Sequence, residues 1–162
     1  MSADSDLIKL YSARILALAA DMPRTTRLAA PDATVRKRAP LCGSSVTVDL
    51  RLTGGQITDY GQEVRACALG QAAASVVGRV IVGLDTDQVR RGRAELAAML
   101  KDGAAPPTAP FDGLAVLEPA REYRNRHASI MLALDAAVEA LDAALGPKEK
   151  TAAHPGRDGG GE

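Results

Sequence analysis

The sequence predicts an α+β fold, a three-stranded antiparallel sheet packed on one side by four to five helices. Three observations carry that expectation. Residues 34–64 alternate apolar and polar side chains with a period of two, interrupted by a Gly-Gly pair at 54–55. From Cys67 onward the apolar residues recur at helical spacing instead. With 46% apolar residues but one Phe, three Tyr and no Trp, the core must be built from Ala, Leu and Val, which suits close-packed helices better than an aromatic-filled barrel.

The elements follow in order. In SDLIKLYSARILALAA, residues 5–20, Leu7, Leu10, Tyr11, Arg14, Ile15 and Leu18 fall at three-and-four spacing, and Pro23 ends that helix. The strands are TVRKRA, SVTVDLRL and QITDYGQEV. The second sets Val46, Val48, Leu50 and Leu52 on one face and Thr47, Asp49 and Arg51 on the other. CALGQAAASVVGRVIVG is small and apolar nearly all round, which predicts the most buried helix, closed by Gly83. DTDQVRRGRAELAAMLK opens with acidic and threonine capping residues. After the joint GAAPPTAP, residues 111–145 read as one or two helices, with the break expected at Pro119. Residues 1–145 are expected to form a single domain, long enough to bury a core without staples. Residues 146–162, rich in Gly, Pro and charge, are expected to be a disordered tail.

Composition narrows the function classes. Twenty Lys and Arg balance twenty Asp and Glu, so no global field recruits nucleic acid or a membrane surface. No apolar run approaches the ~20 residues of a bilayer span. MSADSDLIKL lacks the basic and apolar regions of a signal peptide, and the two cysteines are then expected in a reducing compartment, the cytoplasm. Nor is there a Gly-rich phosphate loop after a strand, a Gly-x-Ser-x-Gly or a His-Glu-x-x-His, and no enzymatic activity is expected.

The chemistry therefore rests on the cysteines. Cys42, in PLCGSS, precedes the second strand, with Gly43 permitting a tight turn. Cys67, in RACALG, opens the small-residue helix, where unpaired N–H groups and the helix dipole favour a thiolate. A thiolate is the form that binds metal or attacks sulfur. By position alone, both residues suit a buried core role equally well.

LYSARIL followed by Met22-Pro23-Arg24, then PLCGSSVTVDLRL, then RACALGQAAAS, resemble in order and spacing the U-type iron–sulfur cluster assembly scaffolds. That family comprises IscU, SufU and the N-terminal domain of NifU. The resembling segments are its N-terminal helix and its first and second cysteine segments. LEPAR, residues 117–121, resembles the Leu-Pro-Pro-Val-Lys stretch that chaperones bind in the IscU branch. The likeness spans residues 5–145 and identifies the chain as a divergent member.

The resemblance implies a scaffold or sulfur acceptor that receives sulfur from a cysteine desulfurase. It would hold a transient 2Fe–2S iron–sulfur cluster, or zinc, through Cys42 and Cys67, and pass it on. Chaperones and apo-acceptor proteins are the other implied partners. Two positions depart from the family. Its aspartate two residues after the first cysteine is Ser44 here, and an ungapped alignment of YRNRHASIMLAL puts Ser129 where the third cysteine belongs. His127 lies two residues before that slot and is a candidate third metal ligand, since histidine replaces cysteine on iron and suits zinc. The other reading of His127 is a partly exposed residue among Arg121, Arg124 and Arg126. The departures keep open a degenerate scaffold-fold interaction module, without a complete metal site, that binds a desulfurase or another assembly partner. A redox pair closing a Cys42–Cys67 disulfide is a third reading. The basic runs RKR, 36–38, and REYRNR, 121–126, read as solvated surface or as a docking face for the desulfurase.

Overall fold

In the computed structural model, which describes residues 11–40 and 43–152, three antiparallel strands lie in the order β1 (Ala33–Arg38), β2 (Ser45–Thr53) and β3 (Gln56–Arg65). Gly54 and Gly55, both at positive φ (62° and 84°), form the two-residue turn between β2 and β3. Val46, Val48 and Leu50 are buried on the inner face, as their alternation predicts.

The helices are α1 (Ala13–Ala20), α2 (Ala68–Val80), α3 (Thr86–Asp102) and α4 (His127–Ala152). Ser12 caps α1 by accepting the Ile15 N–H; of the helix expected over residues 5–20, Ala13–Ala20 is described, and residues 5–10 lie outside the described residues. α2 is the buried helix the sequence predicts, with Ala72, Ala73 and Ala74 almost inaccessible. α3 opens with a reciprocal capping box between Asp85 and Gln88 and closes at Gly103 in the left-handed region. α4 packs on the inner faces of β1 and β2 and against α2 and α3, where Ala136, Ala137 and Ala140 allow a close approach. Half-exposed ion pairs flank it, Lys37 with Glu139 and Arg93 with Asp135; such pairs each contribute at most ~1 kcal/mol. α4 breaks at Gly146 (φ 77°, ψ 169°), the expected start of the tail, and the backbone is helical again up to Ala152. Residues 153–162 of the expected tail lie outside the described residues.

One expectation is corrected. Pro119 does not mark the break between two α-helices. Residues Phe111–Glu122 form a 3₁₀ helix that carries Pro119 inside it, and the chain turns at Tyr123. The reason is the spacing of the apolar residues. Phe111, Leu114, Leu117 and Ala120, all buried, recur every three residues, and only a helix of three residues per turn lines them up on one face.

The outer face of the sheet holds a second departure. Alternation puts Asp49 on the polar side of β2, and it is there, yet its side chain is wholly inaccessible. The segment between α1 and β1 crosses over it. Arg27 donates to both carboxylate oxygens (Nε 2.6 Å, Nη2 3.1 Å), Leu28 N–H donates at 3.0 Å and the Thr34 hydroxyl at 2.6 Å. The crossing needs Gly61, which pairs with Asp49 across the sheet: a Cβ there would lie 2.4 Å from the Thr26 carbonyl oxygen. Burial pushes the Asp49 carboxyl up, but the hydrogen bonds from Arg27, Thr34 and Leu28 and the Arg27 charge outweigh it, leaving its pKa below the ordinary value.

Because the folded pKa is depressed, the unfolded chain takes up the proton first. Asp49 therefore stabilises the fold above about pH 4, and its contribution is lost as pH falls through the folded pKa. Asp49→Ala strands three donor groups and is expected to lower stability by ~2–4 kcal/mol at pH 7 in urea denaturation. The gap to the native protein should narrow on acidification to about pH 3. A gap that stays constant with pH would show that the carboxylate charge is not what holds the crossing.

Candidate functional site

The site forms where β2 begins and β3 ends. Between β1 and β2 the chain is closed by Ala39, which donates its N–H to the Ser44 carbonyl (2.9 Å) and accepts from Gly43 N–H (3.1 Å). Ser44 precedes β2 and is buried. Cys42 lies outside the described residues, and with it the expected approach of Cys42 to Cys67.

Cys67 is the N-cap of α2, in extended backbone conformation, and half-buried. Its thiol completes no cap hydrogen bond of its own, yet the first-turn N–H groups of α2 bear on it. Burial pushes the thiol pKa up. The N–H of Gly70, the Ser129 hydroxyl, the N–H of Leu69 and the charge of Arg126 together pull it down further, so the net shift is downward. This is the thiolate-favouring position that the sequence predicts for Cys67.

Ser129, on the first turn of α4, is 1% exposed. Its Oγ lies 3.6 Å from Cys67 Sγ and 3.0 Å from Ser44 Oγ. The three side chains form a continuous contact, Ser44 to Ser129 to Cys67, drawn from three separate elements. Gly70 makes that convergence feasible. A Cβ on Gly70 would sit 2.5 Å from Ser129 Oγ and 3.1 Å from its carbonyl oxygen, so the start of α4 rests directly on the first turn of α2. Sequence reading did not single out Gly70, and it placed Arg126 only in the basic surface run beside His127. A glycine in the first turn of an otherwise alanine-rich helix is the signal that points to such a close approach.

His127 is placed differently from the third-ligand expectation. Two residues in an α-helix turn through ~200°, so with Ser129 against Cys67, His127 faces the other way. It is 8% exposed rather than partly exposed, and its Nε2 donates to the Ala120 carbonyl oxygen at 3.1 Å. With Lys101 and Arg124 it lines a separate cavity of about 350 Å³. Among the described residues no three His, Cys, Asp or Glu side chains stand together as a metal site. At the site itself those residues offer one thiol and two hydroxyls. A thiolate fits iron or zinc well; neutral hydroxyls are weak ligands for either.

The chain matches no protein-family model and no curated protein at a significant level. Solved structures do match. The nitrogen-fixing NifU-like protein (N-terminal) from Brucella abortus is 40% identical, with 86% of this chain and 96% of that chain covered and a TM-score of 0.84. A protein from Fervidobacterium islandicum, assigned as an iron–sulfur cluster assembly scaffold for the SUF system, is 19% identical, covers 83% and 98%, and has a TM-score of 0.74. A hypothetical protein at 17% identity shares the same fold, also at 0.74.

Two substitutions test the geometry. Ser129→Ala removes a donor to the Cys67 sulfur, so the thiol pKa is expected to rise, read as slower iodoacetamide labelling of Cys67 near neutral pH. A Cys42→Ser background isolates the Cys67 signal. Gly70→Ala forces α2 and α4 apart at this point and is expected to cost ~1–3 kcal/mol of stability in urea denaturation. Unaltered labelling in the first variant would mean that the Ser129 hydroxyl does not act on the sulfur.

Proposed function

The chain belongs to the family of NifU-like N-terminal domains, and from that premise we propose that it is an iron–sulfur cluster assembly scaffold whose cargo is held through Cys42 and Cys67. The observation that supports this most directly is the meeting of Ser44, Ser129 and Cys67 at one point. These are three of the positions at which the family resemblance puts ligands, and Cys42 precedes Ser44 by two residues. In this reading the protein is no enzyme. It works in the cytoplasm as an acceptor and carrier, with a cysteine desulfurase as donor and apo-proteins or a chaperone downstream.

Sulfur uptake would use the Cys67 thiolate. Its Sγ attacks the outer sulfur of a donor persulfide, a new S–S bond forms, and the donor's own cysteine leaves as a thiolate. The exchange needs no external oxidant or reductant. Iron or zinc bound next meets two thiolates and neutral oxygens, a donor set that holds metal loosely. A loosely held 2Fe–2S cluster suits a protein that must hand its cargo on, and a partner would complete the coordination.

The Ser44–Ser129 hydrogen bond favours a second reading. Two hydroxyls that satisfy each other fill the ligand corner with neutral groups, as expected of an interaction module that keeps the scaffold fold without the complete site.

Anaerobic reconstitution with iron and sulfide, followed by visible absorbance, separates the two. The scaffold reading expects a labile cluster in the native protein, lost on Cys42→Ser or Cys67→Ser and better retained after Ser44→Asp with Ser129→Cys. A cluster only in the doubly altered protein supports the interaction module. No cluster or zinc in either ends the metal reading. His127→Ala is expected to leave metal retention within twofold of native, because its Nε2 is committed to Ala120. A loss as deep as that of the cysteine variants would restore His127 as a ligand.

A further inference from the structure

The outer sheet face carries a groove that the cluster site does not use. Arg27, Arg36, Ser45, Thr47, Glu63 and Arg65 line a cavity of about 400 Å³. The register explains its composition. Arg36, Thr47 and Glu63 stand in one cross-strand row, and Arg38, Ser45 and Arg65 in the next. The whole chain is neutral, so this cationic face is a local arrangement rather than an average property.

We infer that this groove docks an extended acidic segment of a partner protein, with carboxylates on alternate residues. Its charges are incompletely spent. Arg27 gives Nε and Nη2 to Asp49, but its Nη1 stays 3.9 Å from Glu63. Arg65, whose side chain is 76% exposed, is 3.8 Å from Glu63. Both separations exceed a hydrogen bond. Arg36 has no ion-pair partner among the described residues. Three guanidiniums therefore face two carboxylates, Asp49 and Glu63, and the pairing at Glu63 is loose.

The spacing selects the occupant. Adjacent outward rows on a strand repeat about every 6.7 Å, the same repeat as alternate side chains of an extended peptide. Arginine forks suit carboxylates bidentately, while Ser45, Thr47 and Glu63 can serve peptide N–H and C=O groups. Other occupants fit less well. Glu63 in the middle of the groove opposes a compact dianion such as phosphate more than single carboxylates spaced along a strand to either side of it, and the outward residues of all three strands include no aromatic on which a nucleic-acid base could stack. A second copy using this face on itself would oppose arginine to arginine.

Position gives the docking a purpose. Ser45 follows Ser44, and Arg65 is two residues before Cys67. A partner seated in the groove lies around the sheet end from the cysteine site, so binding there would bring its own reacting groups beside Cys67. The groove is distinct from the cargo chemistry at Cys67, where among the described residues the groups acting on the sulfur are Gly70, Leu69, Ser129 and Arg126 rather than Arg36 or Arg65; cluster retention of the variants, read separately, tests the proposed function on its own.

The probe is a fluorescein-labelled octapeptide alternating Glu and Ser, titrated with the full chain at low salt and read by fluorescence anisotropy. Its Gln-for-Glu counterpart is the control. Arg36→Glu and Arg65→Glu are each expected to weaken binding at least fivefold. Arg91→Glu makes the same charge change on exposed α3, away from the groove, and is expected to change binding less than twofold. Arg36→Gln with Arg65→Gln, checked for an unchanged thermal melt, provides a milder pair with the same expectation. Equal weakening by Arg91→Glu, or none by the groove variants, would overturn the proposal. So would displacement of the peptide by equimolar inorganic phosphate, or tighter binding of a single-stranded decathymidylate.

Discussion

A single buried carboxylate organises the non-helical half of the molecule. Asp49 sits mid-strand in β2 with no access to water, and a bare charge there would be costly. It is tolerated because Arg27, Leu28 and Thr34 all donate to it, and those donors come from the crossing segment and from β1. The clamp therefore joins three stretches of chain at one point. From there the constraint passes inward. Arg24 accepts the Gln62 N–H through its carbonyl and donates its own Nε to the Gly78 carbonyl of α2. Gln62 is buried on the opposite face, where its amide donates to the Pro23 and Ala74 carbonyls. The sheet, the exit of α1 and the body of α2 are thus tied together, and α2 is the helix that Cys67 caps.

At the other end of α2 the same close packing shapes the chemistry. Gly70 lets the first turn of α4 settle on the first turn of α2, which brings the Ser129 hydroxyl to the Cys67 sulfur. The thiol is then supported by N–H groups, a hydroxyl and a nearby guanidinium, with no carboxylate beside it among the described residues. That environment favours a thiolate while offering neutral oxygens as its companions. Under the proposed scaffold reading, it suits a thiol that accepts sulfur readily and binds metal weakly. The fold likeness extends across 96% of the 40% identical relative, so the two chains share the frame on which these side chains stand.

Much of this was legible in the residues. A period of two between Thr34 and Val64, with Gly54-Gly55 turning the second strand into the third, determined a sheet of three antiparallel strands, because only that pairing buries Val46, Val48 and Leu50 together. Asp85 and Gln88 determined where α3 starts, since capping is a local exchange of hydrogen bonds. The alignment that set Ser44 and Ser129 at ligand positions agrees with their contact across 85 residues of sequence. The three-residue recurrence of Phe111, Leu114, Leu117 and Ala120 was also present in the sequence, and it outweighed Pro119 as a guide to the local helix type.

What the sequence could not determine was which polar residues leave water. Asp49 and Thr47 occupy equivalent outward positions on β2, and alternation treats them alike. Only the crossing of residues 24–28 over Gly61 buries one and leaves the other beside an open groove. His127 and Ser129 are likewise two polar neighbours at the start of one helix, and residue type alone favours His127 as the ligand. The sequence by itself determined the strands, the caps and the apolar faces, because those follow from periods and hydrogen bonds within a few residues. Tertiary structure alone decided that Ser129 meets Cys67 and His127 meets Ala120. The rotation of α4 is set by the packing of its far side against β1, β2 and α3, a sum of contacts distant in sequence that no local pattern encodes.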